Sequence, residues 1–313
     1  MPILRIPTAI PAILSTFWLV LATSTPAIAQ DAAVPAAPTV KRQYVDGPFG
    51  QIHLRIARPA RRSAERHPPL VCFHYSPGSS RMYAALMPHL ATDRVVIAFD
   101  TPGYGGSDAP PSQPTLAQYA IALTDGLERL GYGPRAGKKI DLVGHLTGSL
   151  IATELAAMQP GWVRRVILSQ APNFDAARRR DYVAEIQAMG ETRQKDLRGQ
   201  YLIDRLTRGL QSLGADEAPE TYTGMFIDSV IPGHKWTYGE IAAISYSAED
   251  VYPRLTQPVL LFTYQTSRPQ DFERTAKLLR NVRVQAVADR GPRQWQTAPA
   301  SVAATFREFL DAR

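Results

Sequence analysis

Short apolar runs alternate with helix-like segments along most of the chain, and this alternation is the strongest constraint on its fold. The apolar runs are short enough to be buried strands and lie at residues 70–73, 94–99, 140–143, 163–168, 259–263 and 282–287. Segments with helical spacing of apolar residues stand between or after them, at residues 81–90, 116–130, 147–158, 268–279 and 302–310. Strands separated by helices predict the α/β class, with a doubly wound, mostly parallel sheet.

A hairpin at the start and a long interruption near the middle complete this pattern. Residues 42–45 and 51–57 predict a β-hairpin, which brings the expected sheet to eight strands. Residues 173–250 contain mostly helical sequence, and we expect them to form a helical cap inserted into a core of residues 40–172 and 251–313. Such a cap would cover the carboxyl edge of the sheet, where folds of this class bind ligands.

The N-terminus has the features of an export signal. An apolar stretch follows Arg5, the only charge in residues 1–29, and Ala-Ile-Ala at residues 27–29 is the small-x-small pattern that precedes signal-peptide cleavage. We predict a cut after Ala29, a periplasmic or secreted protein that leaves the membrane, and a Pro/Ala-rich linker at residues 30–39. The alternative is an uncleaved anchor, although the apolar run is shorter than the ~20 residues that span a bilayer.

Composition and charge argue against several classes of protein. With 45% hydrophobic and 20% charged residues, the chain has ordinary globular composition, unlike disordered or collagen-like chains. Its net charge is +7, but the basic residues are scattered, so we expect no nucleic-acid partner. Cys72 is the single cysteine, which excludes an internal disulfide, and no histidines stand at metal-ligand spacing. We therefore predict neither a metal nor a cofactor; the oligomeric state stays open.

Three loops at the ends of predicted strands carry motifs. Residues 74–80 read His-Tyr-Ser-Pro-Gly-Ser-Ser, residues 100–108 read Asp-Thr-Pro-Gly-Tyr-Gly-Gly-Ser-Asp, and residues 144–148 read Gly-His-Leu-Thr-Gly. In order and context they resemble the α/β-hydrolase superfamily, in its capped branch of esterases, epoxide hydrolases, dehalogenases and C–C hydrolases. The resemblance covers roughly residues 40–313 and is weakest in 173–250. It implies a nucleophile at the centre of the 144–148 turn, an acid after a late strand, and a histidine before the last helix.

The chain departs from the family pattern at the nucleophile and the histidine. Leu146 stands where the family has serine, aspartate or cysteine, and a leucine has no lone pair with which to attack a carbonyl. Pro292 stands where the histidine is expected, and no histidine follows His234.

The acid of the triad is missing as well. Its expected position is about Ser267, in a segment without a carboxylate; Asp271 follows in the next helix, and Asp175 is an alternative after the preceding strand. With all three positions substituted, hydrolysis by the usual route is not expected.

The backbone donors of the family's oxyanion hole remain available. The amides of Thr147 and Gly148 open a helix, and the loop after His74 can supply another amide from Tyr75 or Ser76. Such a cluster suits a carbonyl oxygen or a carboxylate. The alternative is that the glycines only satisfy the geometry of the turn.

Three hypotheses follow. The first is a non-catalytic exported protein that binds a small apolar or carboxylate/carbonyl ligand or a partner. The second is a hydrolase or lyase with a rebuilt site in the same pocket, for which His74, His145 and His234 are the candidate bases. The third is an interaction module that uses the cap arginines, Arg178 to Arg180 and Arg193.

The remaining polar candidates are assigned to the scaffold. We expect Asp100 and Asp108 to shape the glycine-rich turn between them. His53, His67 and His89 are interpreted as surface or strand positions.

Overall fold

The order of the strands shows how the sheet is assembled. The computed structural model describes residues 37–215, 217–264, 269–287 and 293–312. Within them the chain forms an eight-stranded sheet of order β1-β2-β4-β3-β5-β6-β7-β8. The hairpin β1–β2 is antiparallel, β2 also pairs antiparallel with β4, and the other pairs are parallel. The strands are β1 (Val40–Gly47), β2 (Gly50–Ala57), β3 (Leu70–Phe73), β4 (Val96–Phe99), β5 (Ile140–His145), β6 (Val163–Ser169), β7 (Val259–Tyr264) and β8 (Val282–Val287). The predicted mostly parallel α/β sheet of eight strands is confirmed.

Helices cover both faces of this sheet. In chain order they are α1 (Met87–Leu90), α2 (Leu116–Arg129), α3 (Thr147–Met158), α4 (Ala176–Lys195), α5 (Gln200–Gln211), α6 (Pro219–Val230), α7 (Thr237–Ile244), α8 (Ala248–Val251), α9 (Pro269–Leu278), α10 (Gln294–Thr297) and α11 (Pro299–Leu310).

The helix expected at residues 81–90 is instead a 3-10 turn at Ser80–Tyr83 followed by the short α1. Pro88 explains the break. Proline has no backbone N–H to donate within a helix, so it is tolerated only in the first turn of a helix. Among the described helices, none has the length and apolar character needed to cross a membrane.

The apolar runs form strands because both of their faces are buried. In β3, Val71 and Phe73 pack into the cluster on the side of α2 and α3, whereas Leu70 and Cys72 pack into the cluster on the side of α1 and α11. Successive side chains of a strand point to opposite faces, so a strand between two helical layers must be apolar throughout. This explains why β3 lacks the alternation seen in β2.

The helices between β6 and β7 lie over the carboxyl edge of the sheet. In α7, the Gly239 amide donates to the Tyr104 hydroxyl at 2.6 Å, and just before α7 the Lys235 Nζ donates to the Pro110 carbonyl at 2.9 Å. Both acceptors follow the carboxyl end of β4, so α7 and the turn before it lie at that edge of the sheet; the division of the chain into core and cap stays a prediction. The predicted signal peptide at residues 1–29 lies outside the described residues.

Candidate functional site

A strained turn joins β5 to α3. Leu146 adopts φ 50° and ψ −115°, a backbone conformation that costs a residue with a β-carbon about 1–3 kcal/mol. Its amide donates to the Ser169 carbonyl at 2.9 Å, and its carbonyl accepts from the Ser149 amide at 2.9 Å. The turn therefore has the sharp strand-to-helix shape of a nucleophile elbow, with a half-buried leucine at its centre.

Two glycines make this turn sterically possible. A β-carbon on Gly144 would lie 2.1 Å from the Gly148 carbonyl oxygen, and one on Gly148 would lie 2.0 Å from the Phe73 carbonyl oxygen. Neither neighbour can move away easily, because the first is backbone of α3 and the second is backbone of β3. The glycines of residues 144–148 are thus required by the packing of α3 against β3 and β5.

The backbone amides expected to form the oxyanion hole have no hydrogen-bond acceptor among the described residues. The amides of Thr147, Gly148, Tyr75 and Ser76 form no hydrogen bond within the described part of the chain. Amides at a helix start lack an intrahelical acceptor and are therefore suited to an oxygen of a ligand.

His74 is engaged at both of its ring nitrogens. Its Nε2 accepts from the Thr101 amide at 2.9 Å, and its Nδ1 lies 2.7 Å from the Tyr75 carbonyl oxygen, which assigns the proton to Nδ1. Burial lowers the pKa of His74 below its ordinary value, which keeps the ring neutral. The ring ties the loop after β3 to the loop after β4, a scaffold role that uses both nitrogens.

His145 is enclosed by aromatic rings next to the elbow. Its Nδ1 lies 2.9 Å from the Ser169 hydroxyl, and its ring makes edge contacts with Tyr75 and Trp295 at centroid distances of 5.9 and 5.4 Å. Burial lowers its pKa to about 3. His234, in contrast, is exposed in the 3-10 turn before α7. His74 and His145 follow directly on Phe73 and Gly144, which pair on adjacent strands, whereas His234 lies in the turn before α7. The hypothesis of a rebuilt base stays a prediction.

The alternative acids are bound to an arginine. Arg274 donates to Asp271 at 2.7 Å and lies 3.8 Å from Asp175, which also caps α4 by accepting from the Arg178 amide at 2.8 Å. Both carboxylates therefore have local structural partners. Ser267 and Pro292, the substituted acid and histidine positions, lie outside the described residues.

The hydroxyls near the elbow are also enclosed. Ser149 Oγ donates to the Leu146 carbonyl at 2.6 Å, one turn below the position of a nucleophile. Ser76 is buried under α7, where a β-carbon on Gly239 would lie 2.1 Å from its Oγ. A ligand could reach Ser76 only if α7 moved.

His53 lies in β2, in agreement with the strand alternative, but it is only 6% exposed and binds Asp100. Its Nδ1 lies 2.7 Å from Asp100 Oδ2, while the amides of Ser80 and Gly106 donate to the same carboxylate at 2.6 and 2.8 Å. Burial alone would raise the pKa of Asp100, but these hydrogen bonds outweigh it and lower the pKa to about 2. Asp100 thus organises the glycine-rich turn, as its position at the start of that turn predicted.

A cavity of about 290 Å³ lies between the loop after β3 and α6. Tyr75, Arg81 and Met82 line it from the core side, and Thr221, Met225 and Asp228 line it from α6. Asp228 is buried and accepts from the Ser79 hydroxyl at 2.6 Å and from Arg81 Nε at 3.2 Å. Sequence reasoning missed Asp228, because nothing in a helical segment identifies the one carboxylate that faces the core.

Among the residues that the structure describes, one group of metal-type ligands occurs, near the amino ends of β3 and β4. His67, Asp93 and Asp311 have ligand atoms within 4.8 Å of one another. Both carboxylates are bound by arginines, since Asp93 accepts from Arg94 at 3.0 Å and from Arg307 at 2.8 Å, and Asp311 also binds Arg94. The arginines already supply the positive charge that a cation would bring, so the donor set does not fit a metal ion.

A family comparison agrees with this geometry. Residues 68–292, more than half of the chain, match the family described as alpha/beta hydrolase fold. The protein belongs to this family. The matched segment contains the elbow, the glycine-rich turn and the loop after β3 that the sequence motifs identified.

Solved structures share the fold of this α/β-hydrolase family member. A thermophilic esterase from Thermogutta terrifontis, solved with malate bound, is 21% identical with a TM-score of 0.69, over 87% of this chain and 98% of its own. The enol-lactonase from Burkholderia xenovorans LB400 is 17% identical with a TM-score of 0.71, over 86% and 100%. The epoxide hydrolase CorEH is 19% identical with a TM-score of 0.67, over 87% and 99%. At such identities the likeness establishes the fold alone.

Proposed function

We propose that this protein is an exported, non-catalytic member of the α/β-hydrolase fold family that binds a small ligand beside the elbow. The observation that carries the proposal is Leu146, which holds the strained elbow conformation with a side chain that cannot attack a substrate. The family resemblance puts the acid near Ser267 and the histidine at Pro292, and neither residue can perform those roles. The chain also has no histidine after His234 to replace the base.

The site proposed for the ligand is the cavity between the loop after β3 and α6. We name it the elbow cavity, because Tyr75 lines it and contacts the ring of His145 in the elbow. Tyr75 lines it, and the Tyr75 amide is one of the donors without a described partner. Arg81 already balances the charge of Asp228, Ser79 donates a hydrogen bond to it, and Glu220 adds a negative charge at the wall. This arrangement favours a neutral molecule with a carbonyl group over a carboxylate, because a second anion would be repelled.

A binding experiment tests the ligand site. Acetophenone is the probe, ethylbenzene is the match in which a methylene replaces the carbonyl, and calorimetry is the readout; we expect acetophenone to bind more tightly. Thr221→Trp should fill the cavity and abolish acetophenone binding. Thr223→Trp is the matched control, because Thr223 lies on α6 about 200° away around the helix and does not line the cavity. Equal binding by both variants, or none by the wild type, would overturn the ligand site.

A turnover experiment separates this proposal from a rebuilt hydrolase or lyase. Purified protein is assayed with short-chain aryl esters, an epoxide, a haloalkane and a C–C-cleavage substrate, against heat-treated protein. We expect no turnover above the heat-treated control. Turnover that His234→Ala abolishes would overturn the non-catalytic proposal and identify the base.

Export is tested by mass spectrometry of the protein from periplasm and medium. The proposal expects a chain that begins at Gln30, after cleavage behind Ala29. A chain that retains residues 1–29 in the membrane fraction would contradict it.

A further inference from the structure

A cleft between α4 and α5 gathers three arginines. Arg205 and Arg208 stand four and seven residues after Tyr201, so these three side chains share one face of α5. Arg193, near the end of α4, faces them across a cavity of about 390 Å³. We name this the arginine cleft; Ala188, Met189 and Thr192 of α4 complete its wall. None of these residues lines the cavity beside the elbow.

In the part of the chain that the structure describes, the arginines of the cleft form no close ion pair, although Glu240 lies near enough to Arg193 to raise its pKa. Within the described residues, Arg193, Arg205 and Arg208 form no ion pair with a carboxylate, whereas Arg179 and Arg274 do. Arg205 Nε is buried without a hydrogen-bond acceptor in the same part of the chain. A buried guanidinium nitrogen without an acceptor carries a desolvation cost, which an incoming oxygen would remove.

Aromatic stacking holds Arg193 in a fixed orientation. Its guanidinium lies 3.7 Å from the centroid of the Trp236 ring and 5.5 Å from that of Tyr201. Stacking occupies the flat faces of a guanidinium and leaves its edge, with the paired N–H groups, available for an anion. Burial and the neighbouring charge of Arg205 lower the pKa of Arg193, as expected for like charges brought together without a full set of counter-charges.

The rest of the wall is apolar, and this decides the kind of anion. Ala188, Met189 and the ring of Tyr201 offer contact for a hydrocarbon or aryl group, and Met189 is 46% exposed. A hydrated inorganic anion would leave this surface in contact with water, whereas an anion with an apolar body would cover it. The volume lies in the range of small-molecule sites.

We infer that the arginine cleft binds the carboxylate of an amphipathic small molecule, with Arg193 and Arg205 on the carboxylate and Met189 and Tyr201 on the apolar part. This site is independent of the ligand proposed for the elbow cavity. The three adjacent arginines of α4 do not form such a site: Arg178 lines a cavity that also contains the carboxylates of Asp175 and Asp271, Arg179 binds Glu249, and Arg180 is exposed.

Calorimetry with 4-phenylbutyrate tests the inference, with 4-phenylbutanol as the uncharged match and inorganic phosphate as the anion without an apolar part. We expect 4-phenylbutyrate to bind at least about tenfold tighter than either comparison compound. The alcohol lacks the charge that pairs with the arginines, and phosphate lacks the apolar body that covers Met189 and Tyr201. Quenching of Trp236 fluorescence should accompany binding, since Arg193 lies against that ring.

Variants decide whether the cleft is the site. Arg193→Gln and Arg205→Gln should each weaken 4-phenylbutyrate binding about tenfold or more, while the exposed Arg180→Gln on α4 should leave it unchanged. Far-UV circular dichroism and melting temperature show that each variant is folded. Alcohol or phosphate binding as tight as the carboxylate, no carboxylate binding, or equal effects of all three substitutions would overturn the inference. Thr221→Trp should leave this binding intact, which separates it from the elbow cavity.

Discussion

Gly148 of α3 and Phe73 of β3 approach so closely that a β-carbon on Gly148 would lie 2.0 Å from the Phe73 carbonyl oxygen. Helix propensity alone would favour alanine over glycine at this position by about 1 kcal/mol. We expect the clash to prevail, so that Gly148→Ala lowers the free energy of unfolding by about 3 kcal/mol. Urea unfolding measures this difference.

Gly161→Ala is the control for Gly148→Ala. A β-carbon on Gly161 would meet nothing within 4 Å, so the change should be neutral or stabilising by up to about 1 kcal/mol. Equal stability of the two variants would show that α3 is not pressed against β3.

Leu146→Ser alone should not create an esterase. The substitution restores a hydroxyl at the elbow, but His74 and His145 are buried and hydrogen-bonded, and no histidine follows His234. A serine without a base is a weak nucleophile, so p-nitrophenyl acetate turnover should stay at the wild-type background. Leu146→Ala is the control for changes in the turn. Efficient turnover by the serine variant would reveal a base that acts on the elbow.

The sheet and the elbow could be predicted because their determinants are local. Short apolar runs give buried strands, and residues 144–148 contain both glycines that the strand-to-helix turn requires. The same reasoning assigned Asp100 to the glycine-rich turn. It placed His53 at a surface or strand position, because polar residues that alternate along a strand usually face solvent. Here that face of β2 lies under the glycine-rich turn, where His53 binds Asp100.

The cavity and the arginine cleft could not be predicted, because both depend on tertiary packing. Ser79 and Asp228 are 149 residues apart, and no pattern in α6 shows which residue meets the loop after β3. The arginines of α4 are equally basic in sequence, yet only Arg193 reaches Trp236 and faces α5. The packing of the helices determines which arginines pair with a carboxylate and which do not. This difference, which the sequence does not show, distinguishes a binding site from an ordinary surface.

Asp228 should anchor α6 to the loop after β3. It is buried and accepts from Ser79 Oγ and Arg81 Nε, so Asp228→Ala leaves the buried Ser79 hydroxyl without its acceptor. We expect a loss of about 2–3 kcal/mol in the free energy of unfolding. Arg81→Gln should cost less than about 1 kcal/mol, because that side chain is half exposed. Equal losses in urea unfolding would contradict the anchoring role.

His145 should make the protein less stable in mild acid. Burial lowers its pKa to about 3 in the folded protein, whereas the unfolded chain binds that proton near pH 6.5. Between these values the unfolded state holds more protons, so the free energy of unfolding decreases as the pH falls, by up to about 1.4 kcal/mol per pH unit.

His145→Gln should reduce this slope between pH 6 and pH 4, as measured by urea unfolding at each pH. Part of the slope will remain, because burial lowers the pKa of His74 in the same direction. The exposed His89→Gln serves as the control; a slope unchanged in His145→Gln would show that His145 is not held neutral against Trp295.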